Sequence, residues 1–220
     1  GSLSLEDIAI SSGLHARTIY VSEEAAASVS NATLTGRSLA DEGLSIYNAG
    51  TLTLSSSTVM GASHASVNYK GVIYNSGTLN MLDGTTIDSE SFVYTGTVFN
   101  DGTFNMSGGT FGGTGSNSNR KDYGATVTNN GTFNMSGGLI TGSKNSEAVL
   151  SKGTFIMNGG SISGNTSTCV SGMTYNSVMS GGGVLVYGGV FEMYDGALIS
   201  DNTGYMGAGV GVYFTGTVFN

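Results

Sequence analysis

The chain has 220 residues with 37 glycines and no proline, yet 39% of its residues are hydrophobic, which is too apolar for a disordered linker. Its formal net charge is −8 with only seven lysines and arginines, so nucleic acid is excluded as a partner. The single cysteine, Cys169, excludes an intramolecular disulfide, and no apolar run approaches the roughly 18 residues of a membrane-spanning segment. These limits favour an ordered, turn-rich, all-β domain.

The first 42 residues carry a degenerate form of a repeat that becomes clear from residue 43 onward. Its apolar positions are Leu3, Leu5, Ile10, Val21, Ala27, Val29 and Leu34. A short helix beginning at Ser22 is the alternative for this region, because serine, acidic residues and alanine suit a helix N-terminus. We predict one β-helix domain over 1–220, with degenerate N-terminal coils or a cap over 1–42 and clear repeats over 43–220.

Each clear repeat is anchored by a glycine that precedes an apolar strand. The anchors are Gly50, Gly77, Gly102, Gly131, Gly153 and Gly189. Two, four, and nine or ten positions after each anchor, and four positions before it, every residue is apolar. The spacing of two is that of a β-strand with both side chains on one face. No repeat can bury these side chains alone, so the repeats must stack as coils of three short strands.

Two columns of residues precede the anchors and belong to the third strand of each coil. The apolar column comprises Ile46, Ile73, Val98, Val127, Val149 and Leu185. The column two positions before the anchor comprises Asn48, Asn75, Asn100, Asn129, Ser151 and Tyr187. Asparagine tolerates the left-handed conformation of a sharp turn, and stacked asparagines can hydrogen-bond along a solenoid axis. The pattern therefore predicts an asparagine ladder in left-handed backbone.

The length variation between coils falls at one corner, after the second strand. The connections there span 61–70, 88–95, 112–124 and 164–183, whereas the distance from the anchor to the second strand stays at nine or ten residues. Insertions that share a corner project from the same side of a solenoid, which is often the binding side. We therefore expect any ligand to contact this side.

Three stretches carry a family resemblance: GLSIYNAGTLTLSSSTVMG (43–61), GVIYNSGTLNMLDGTTI (71–87) and NNGTFNMSGGLITG (129–142). They resemble the imperfect repeats of bacterial surface-exposed right-handed parallel β-helix proteins, which are adhesin-like or autotransporter-like and share their fold with pectate lyases. The resemblance covers most of the chain from residue 43 onward, and it rests on residues that build coils. It implies a right-handed single-stranded parallel β-helix, here of about eight coils, together with secretion, a bacterial cell-surface location and often adhesion.

An aromatic column three positions before the anchors is the candidate binding site. Tyr47, Tyr74 and Phe99 alternate with the inward column, which predicts that they stack outside the solenoid beside the variable corner. The neighbouring connections add Tyr69, Lys70, Tyr94, Arg120, Lys121, Asp122 and Tyr123. This set predicts a surface for a glycan or a host surface protein. The alternative is that the aromatic residues pack under the loops and only stabilise adjacent strands.

Catalysis and metal binding have little support in the sequence. A polysaccharide lyase or glycoside hydrolase needs acids that converge on one sugar, but Asp83 and Asp195 stand about 19 Å apart at the spacing of stacked strands. The histidines, His15 and His64, lie in no recognisable motif. We expect a non-catalytic secreted or cell-surface protein with an adhesive or structural role and no cofactor or metal. A carbohydrate-active enzyme on the same fold is the alternative.

Two further features of the sequence bear on the outside and the end of the solenoid. The outward residues around the first inward column read TLT, TLN, TFN, TFN, TFI and VFE. Only the first has the Thr-x-Thr pair typical of ice-binding solenoids, so ice binding is not favoured.

The last residues, GVYFTGTVFN, repeat much of FVYTGTVFN at 92–100, which predicts an unfinished last coil. An uncapped coil exposes strand edges and can associate end to end.

Overall fold

The computed structural model describes residues 1–13, 17–36, 45–61, 71–89, 96–112, 125–144, 146–167, 181–205 and 207–213. The chain in these ranges consists of short β-strands and the turns between them. The strands in chain order are β1 (Ser2–Glu6), β2 (Ala9–Ser11), β3 (Ile19–Val21), β4 (Ala26–Ser30), β5 (Thr33–Thr35), β6 (Ile46–Asn48), β7 (Thr51–Ser55), β8 (Thr58–Gly61), β9 (Ile73–Asn75), β10 (Thr78–Met81), β11 (Thr86–Ser89), β12 (Val98–Asn100), β13 (Thr103–Met106), β14 (Thr110–Gly112), β15 (Val127–Asn129), β16 (Thr132–Ile140), β17 (Val149–Ser151), β18 (Thr154–Ser163), β19 (Thr166–Ser167), β20 (Val184–Tyr187), β21 (Val190–Met193), β22 (Ala197–Ser200), β23 (Thr203–Gly204) and β24 (Val210–Tyr213). None of the described ranges holds a helix long and apolar enough to cross a membrane.

The strands stack in parallel into a three-faced β-solenoid, which confirms the predicted all-β fold class. The first face comprises β1, β4, β7, β10, β13, the starts of β16 and β18, and β21. The second face comprises β2, β5, β8, β11, β14, the ends of β16 and β18, and β22. The third face comprises β3, β6 and β9, followed by β12, β15, β17, β20 and β24. Right-handed winding stays a prediction.

Like side chains stack above one another in the core, as the repeat predicts. The rings of Phe104, Phe133 and Phe155 are fully buried and nearly parallel, with successive centroids 4.7 and 4.6 Å apart. A methionine column runs beside them in the same register, comprising Met81, Met106, Met135, Met157 and Met193. Each coil therefore completes the core of its neighbours, and no single coil could exclude water from these side chains.

The predicted asparagine ladder is confirmed, and it lies inside the solenoid. Asn48 Nδ2 donates to Asn75 Oδ1 at 2.6 Å, Asn75 Nδ2 to Asn100 Oδ1 at 2.7 Å, and Asn100 Nδ2 to Asn129 Oδ1 at 2.8 Å. Each amide also donates to a backbone carbonyl of the following coil, in turn those of Thr78, Thr103, Thr132 and Thr154. The left-handed backbone predicted for these asparagines is wrong, since none has a positive φ. The asparagine side chains supply hydrogen bonds to the backbone carbonyls at this buried corner, and other residues form the turn itself.

The register of the N-terminal coil differs from the predicted one by two residues. Ile19, rather than Val21, lies beside Ile46. A turn closed by a hydrogen bond from Ala25 N to Ser22 O, at 3.1 Å, makes this corner longer than in later coils. The strand β4 follows at once, so the helix considered for this region does not form.

The register before β21 differs from the predicted one by one residue. Val184, rather than Leu185, lies beside Val149, and Tyr187 therefore stands outside the asparagine column. Gly188 supplies the additional residue at this corner and has a φ of 75°. A side chain would be strained in this left-handed conformation, so glycine is the residue that accommodates the insertion.

Glycines close the two short corners in different ways. At the corner from the third to the first face, a Cβ on Gly131 would lie 2.1 Å from Gly102 O, so the anchor column has no room for a side chain. At the corner from the first to the second face, Gly109 and Gly138 have φ values of 83° and 85°. The strand bounds put the long connections between the second and third faces, as predicted. The prediction that all length variation falls there is wrong in two coils, because the corner from the third to the first face gains two residues before β4 and one before β21.

Candidate functional site

The aromatic column lies on the third face and begins one coil earlier than predicted. Tyr20 stands in register with Tyr47, and Tyr47 with Tyr74. The ring centroids are 5.1 Å apart for Tyr20 and Tyr47, 5.2 Å for Tyr47 and Tyr74, and 6.1 Å for Tyr74 and Phe99. The predicted column of Tyr47, Tyr74 and Phe99 is present, but neighbouring rings in it are tilted by 44° and 37°, and only Tyr20 and Tyr47 stack face to face. The prediction that all three rings lie outside is wrong for Tyr74, which is buried. Tyr20 was missed because the two-residue shift in its coil placed Ser22 at this position.

Exposure differs strongly between members of the column. Tyr20 is 59% exposed, Tyr74 is only 8% exposed, and the other two rings are half-buried. The Tyr74 hydroxyl donates to Asp101 Oδ2 at 2.8 Å, and Asp101 Oδ1 accepts from Asn130 Nδ2 at 2.8 Å. The carboxylate of Asp101 thus ties the third face to its corner, and Tyr74 belongs to the structural part of the column.

The stacking geometry determines which parts of the rings a ligand could contact. Tyr47 has Tyr20 on one side and Tyr74 on the other, so its faces are turned toward protein and its edge toward solvent. The exposed Arg17 adds a guanidinium whose carbon lies 4.9 Å from the Tyr47 centroid and 5.6 Å from that of Tyr20. This end of the column therefore offers ring edges, hydroxyls and one positive charge rather than a flat aromatic platform.

The other predicted site residues lie outside the described residues, and their role stays a prediction. They are Tyr69, Lys70, Tyr94, Arg120, Lys121, Asp122 and Tyr123. In the sequence, each belongs to a connection between the second and third faces.

A second group of polar and aromatic contacts lies near the other end of the solenoid. Tyr187 and Tyr213 stack with centroids 5.2 Å apart, and Lys152 Nζ lies 5.9 Å from the Tyr187 ring. The Tyr194 hydroxyl donates to Glu192 Oε2 at 2.9 Å. This hydrogen bond and the negative charge of Glu192 raise the pKa of Tyr194 above its ordinary 10.0. The repeat pattern does not predict the tyrosine stack, because the register of this coil differs from the repeat by one residue.

The acidic residues do not assemble into a metal site within the described ranges. No group of three or more histidine, cysteine, aspartate or glutamate side chains in these ranges could hold a metal ion. Asp83 and Asp195 both lie in turns between the first and second faces, but in coils that are not adjacent.

Strand pairing and side-chain columns define this chain as a parallel β-solenoid repeat protein. No protein-family model, curated protein or solved structure matches it. The assignment of the fold therefore rests on the register of the strands themselves, and arguments about function rest on the surface chemistry of the three faces.

Proposed function

We propose that this chain is a non-catalytic β-helix segment of a secreted or bacterial cell-surface protein, with a structural and adhesive role. The observation that carries the proposal is the division of the coil into two short corners of nearly constant length and one corner of widely variable length. The two short corners are closed by glycines and by the buried asparagine ladder, which suits a rigid scaffold. The variable corner can change in sequence and length without disturbing the stack, which suits recognition.

The stack also has the dimensions of a spacer. Eight strands succeed one another on the first face, which at the spacing of stacked strands gives a rod of roughly 35–40 Å. The core columns run without interruption from the first coil to the last described coil. A rod of this kind would hold a binding surface away from the cell, in the manner that the adhesin-like resemblance implies.

For the binding surface, we propose the third face from Tyr20 to Phe99 together with the adjoining connections. The exposed hydroxyl and ring edge of Tyr20 and the guanidinium of Arg17 can hydrogen-bond to a glycan or to a host surface protein. Because the Tyr20 and Tyr47 rings stack face to face, this recognition would use hydrogen bonds and edge contacts.

Binding of the intact chain to a glycan array and to host surface proteins tests this proposal. We expect the double variant Tyr20→Ala/Tyr47→Ala to bind its ligand at least tenfold more weakly with little change in melting temperature. The control is Tyr213→Ala, which removes an exposed, stacked ring from the other end of the rod. A parallel triple variant, Arg120→Ala/Lys121→Ala/Tyr123→Ala, tests the predicted contribution of the connection at 112–124.

Two results would contradict the proposal. A large loss of melting temperature in the Tyr20→Ala/Tyr47→Ala variant, with binding unchanged per folded molecule, would assign the column a stabilising role only. Release of soluble oligosaccharides from any polysaccharide on the array would show a carbohydrate-active enzyme instead of a non-catalytic protein.

A further inference from the structure

The outer side of the first face carries two uncharged polar columns over four successive strands, β7, β10, β13 and β16. We call this surface the Thr/Asn face; it comprises Thr51, Thr53, Thr78, Asn80, Thr103, Asn105, Thr132 and Asn134. All eight side chains are at least partly exposed. The two columns therefore form a regular polar surface. The second face has one comparable column, Thr33, Thr58, Thr86 and Thr110, but the column beside it is mixed and includes Met60 and Asp88.

The outer asparagines are held in one orientation by hydrogen bonds along the axis. Asn134 Nδ2 donates to Asn105 Oδ1 at 2.9 Å, Asn105 Nδ2 to Asn80 Oδ1 at 2.9 Å, and Asn80 Nδ2 to Thr53 Oγ1 at 3.3 Å. An amide has two N–H groups, and this ladder uses one of them. The second N–H of each amide has no partner in the described part of the chain.

The threonine column contributes hydroxyls that form no hydrogen bond with any described residue. Among the described residues, the side chains of Thr51, Thr78, Thr103 and Thr132 make no hydrogen bond; the bonds at these residues are made by backbone atoms. Stabilisation of neighbouring strands would explain the hydrogen-bonded asparagines, but it does not require a row of free hydroxyls. The Thr/Asn face thus presents one threonine hydroxyl on each of its four strands and one amide N–H on three of them.

We propose that the Thr/Asn face binds an extended, neutral polysaccharide that lies along the solenoid axis, with about one sugar residue per coil. Stacked strands repeat every 4.7–4.9 Å, approximately the length of one hexopyranose unit in an extended chain. The free donors and acceptors match sugar hydroxyls, and the absence of charge on the face favours neutral sugars over uronic acids. The proposal shares the glycan class with the proposed adhesive function, but it uses a different face and can fail independently.

Periodicity gives the proposal a specific signature in oligosaccharide length. The face spans four strands, so affinity for oligosaccharides of one neutral glycan should rise up to about four sugar residues and then level off. The probes are length series of neutral β-linked gluco-, manno- and xylo-oligosaccharides, measured by calorimetry with the 220-residue chain. No binding by any series, or an affinity that does not depend on length, would overturn the proposal.

A triple variant, Thr78→Val/Thr103→Val/Thr132→Val, removes the hydroxyls while keeping side-chain shape and strand preference. We expect at least a tenfold loss of affinity, with an unchanged circular dichroism spectrum and melting temperature. The single variant Thr103→Val should show a smaller loss of affinity for the oligosaccharide. The test therefore does not depend on the folding of the triple variant. The matched control is Thr58→Val/Thr86→Val/Thr110→Val, which changes outward threonines on the second face.

The variants of the aromatic column separate this inference from the proposed function. Loss of oligosaccharide binding in Tyr20→Ala/Tyr47→Ala, with binding retained in the threonine variant, would place the glycan on the third face and overturn this inference alone. Retained binding in the tyrosine variant, with loss in the threonine variant, supports it. Shaping of ice crystals by the chain without any oligosaccharide binding would assign the Thr/Asn face to ordered water and likewise overturn it.

Discussion

In the inner ladder, the side-chain amides of Asn75, Asn100 and Asn129 each act as both acceptor and donor. Asn100 Oδ1 accepts from Asn75, while Asn100 Nδ2 donates to Asn129 Oδ1 and to the Thr132 carbonyl. All of these groups are shut off from water, so an atom that loses its partner cannot gain one from solvent. The ladder therefore acts as one network, in which each amide orients the next.

We predict that Asn100→Ala strongly destabilises the chain. The change leaves Asn129 Oδ1 buried without a donor, which costs about 1–3 kcal/mol. It also removes the donor to the Thr132 carbonyl, whereas Asn75 Nδ2 keeps its bonds to the Gly77 and Thr103 carbonyls. Urea unfolding should show this loss directly. The control is Asn130→Ala, an exposed asparagine with a side-chain bond to Asp101, for which we expect a change within about 0.5 kcal/mol. Equal effects of the two variants would refute the role of the ladder.

The first member of the ladder is incomplete, and this allows a stabilising substitution. Asn48 Oδ1 is buried without a hydrogen-bond partner, and the residue beside it in the preceding coil is Val21. We predict that Val21→Thr, which keeps the volume and adds a donor, stabilises the chain by about 0.5–1.5 kcal/mol. The control Val29→Thr places the same hydroxyl among apolar side chains and should destabilise by about 1–3 kcal/mol. If both variants lose stability equally in urea unfolding, Asn48 does not have a usable acceptor.

At the scale of the strand and its corner, the anchor glycines set how closely the coils approach. We predict that Gly131→Ala destabilises the chain by about 1–3 kcal/mol or more, because its Cβ would lie 2.1 Å from a backbone oxygen that cannot move alone. The matched control is Gly112→Ala, whose Cβ would meet nothing within 4 Å. Thermal unfolding should show a change in the control of no more than about 1 kcal/mol, in the stabilising direction. Similar losses in both variants would show that the close approach to the backbone oxygen of Gly102 does not govern the effect.

The sequence was sufficient to predict the strand register of the first and second faces. Their inward columns are strictly apolar, and the turn between the two faces hardly changes in length. On the third face, alternation alone could not fix the register. Ile19 and Val21 are both buried, so a two-residue shift satisfies the same pattern. In β20 every residue is apolar, so neither Val184 nor Leu185 is favoured by alternation.

The candidate site was predictable only where the register was correct. Tyr47, Tyr74 and Phe99 follow from their coils, whereas Tyr20 was hidden by the added residues at its corner. Exposure was not predictable in the same way, since Tyr74 differs from Tyr20 through its bond to Asp101 and through burial that the repeat does not encode. The inner asparagines show the same limit: their stacking follows from the pattern, but their backbone conformation does not.

At the scale of the whole molecule, the first and last described coils expose core positions that every other coil covers. Leu3 is 47% exposed in β1, and Val212 is 77% exposed in β24. These surfaces favour end-to-end association of the 220-residue chain. Both coils also carry exposed acids, Glu6 and Asp7 in the first and Glu192 and Asp195 in the last. Because the net charge is −8, repulsion between the two ends opposes the association that the apolar side chains favour.

The balance between these forces depends on ionic strength. The Debye length falls from about 30 Å at 0.01 M salt to about 10 Å at 0.1 M, so added salt screens the repulsion without weakening apolar contact. We predict that light scattering shows a higher average mass at 0.5 M than at 0.01 M sodium chloride. The variant Glu192→Gln/Asp195→Asn should associate already at low salt, whereas Asp83→Asn, which removes an exposed charge from the middle of the rod, should not. A monomer at every salt concentration, in all three proteins, would show that the exposed coils do not pair with each other.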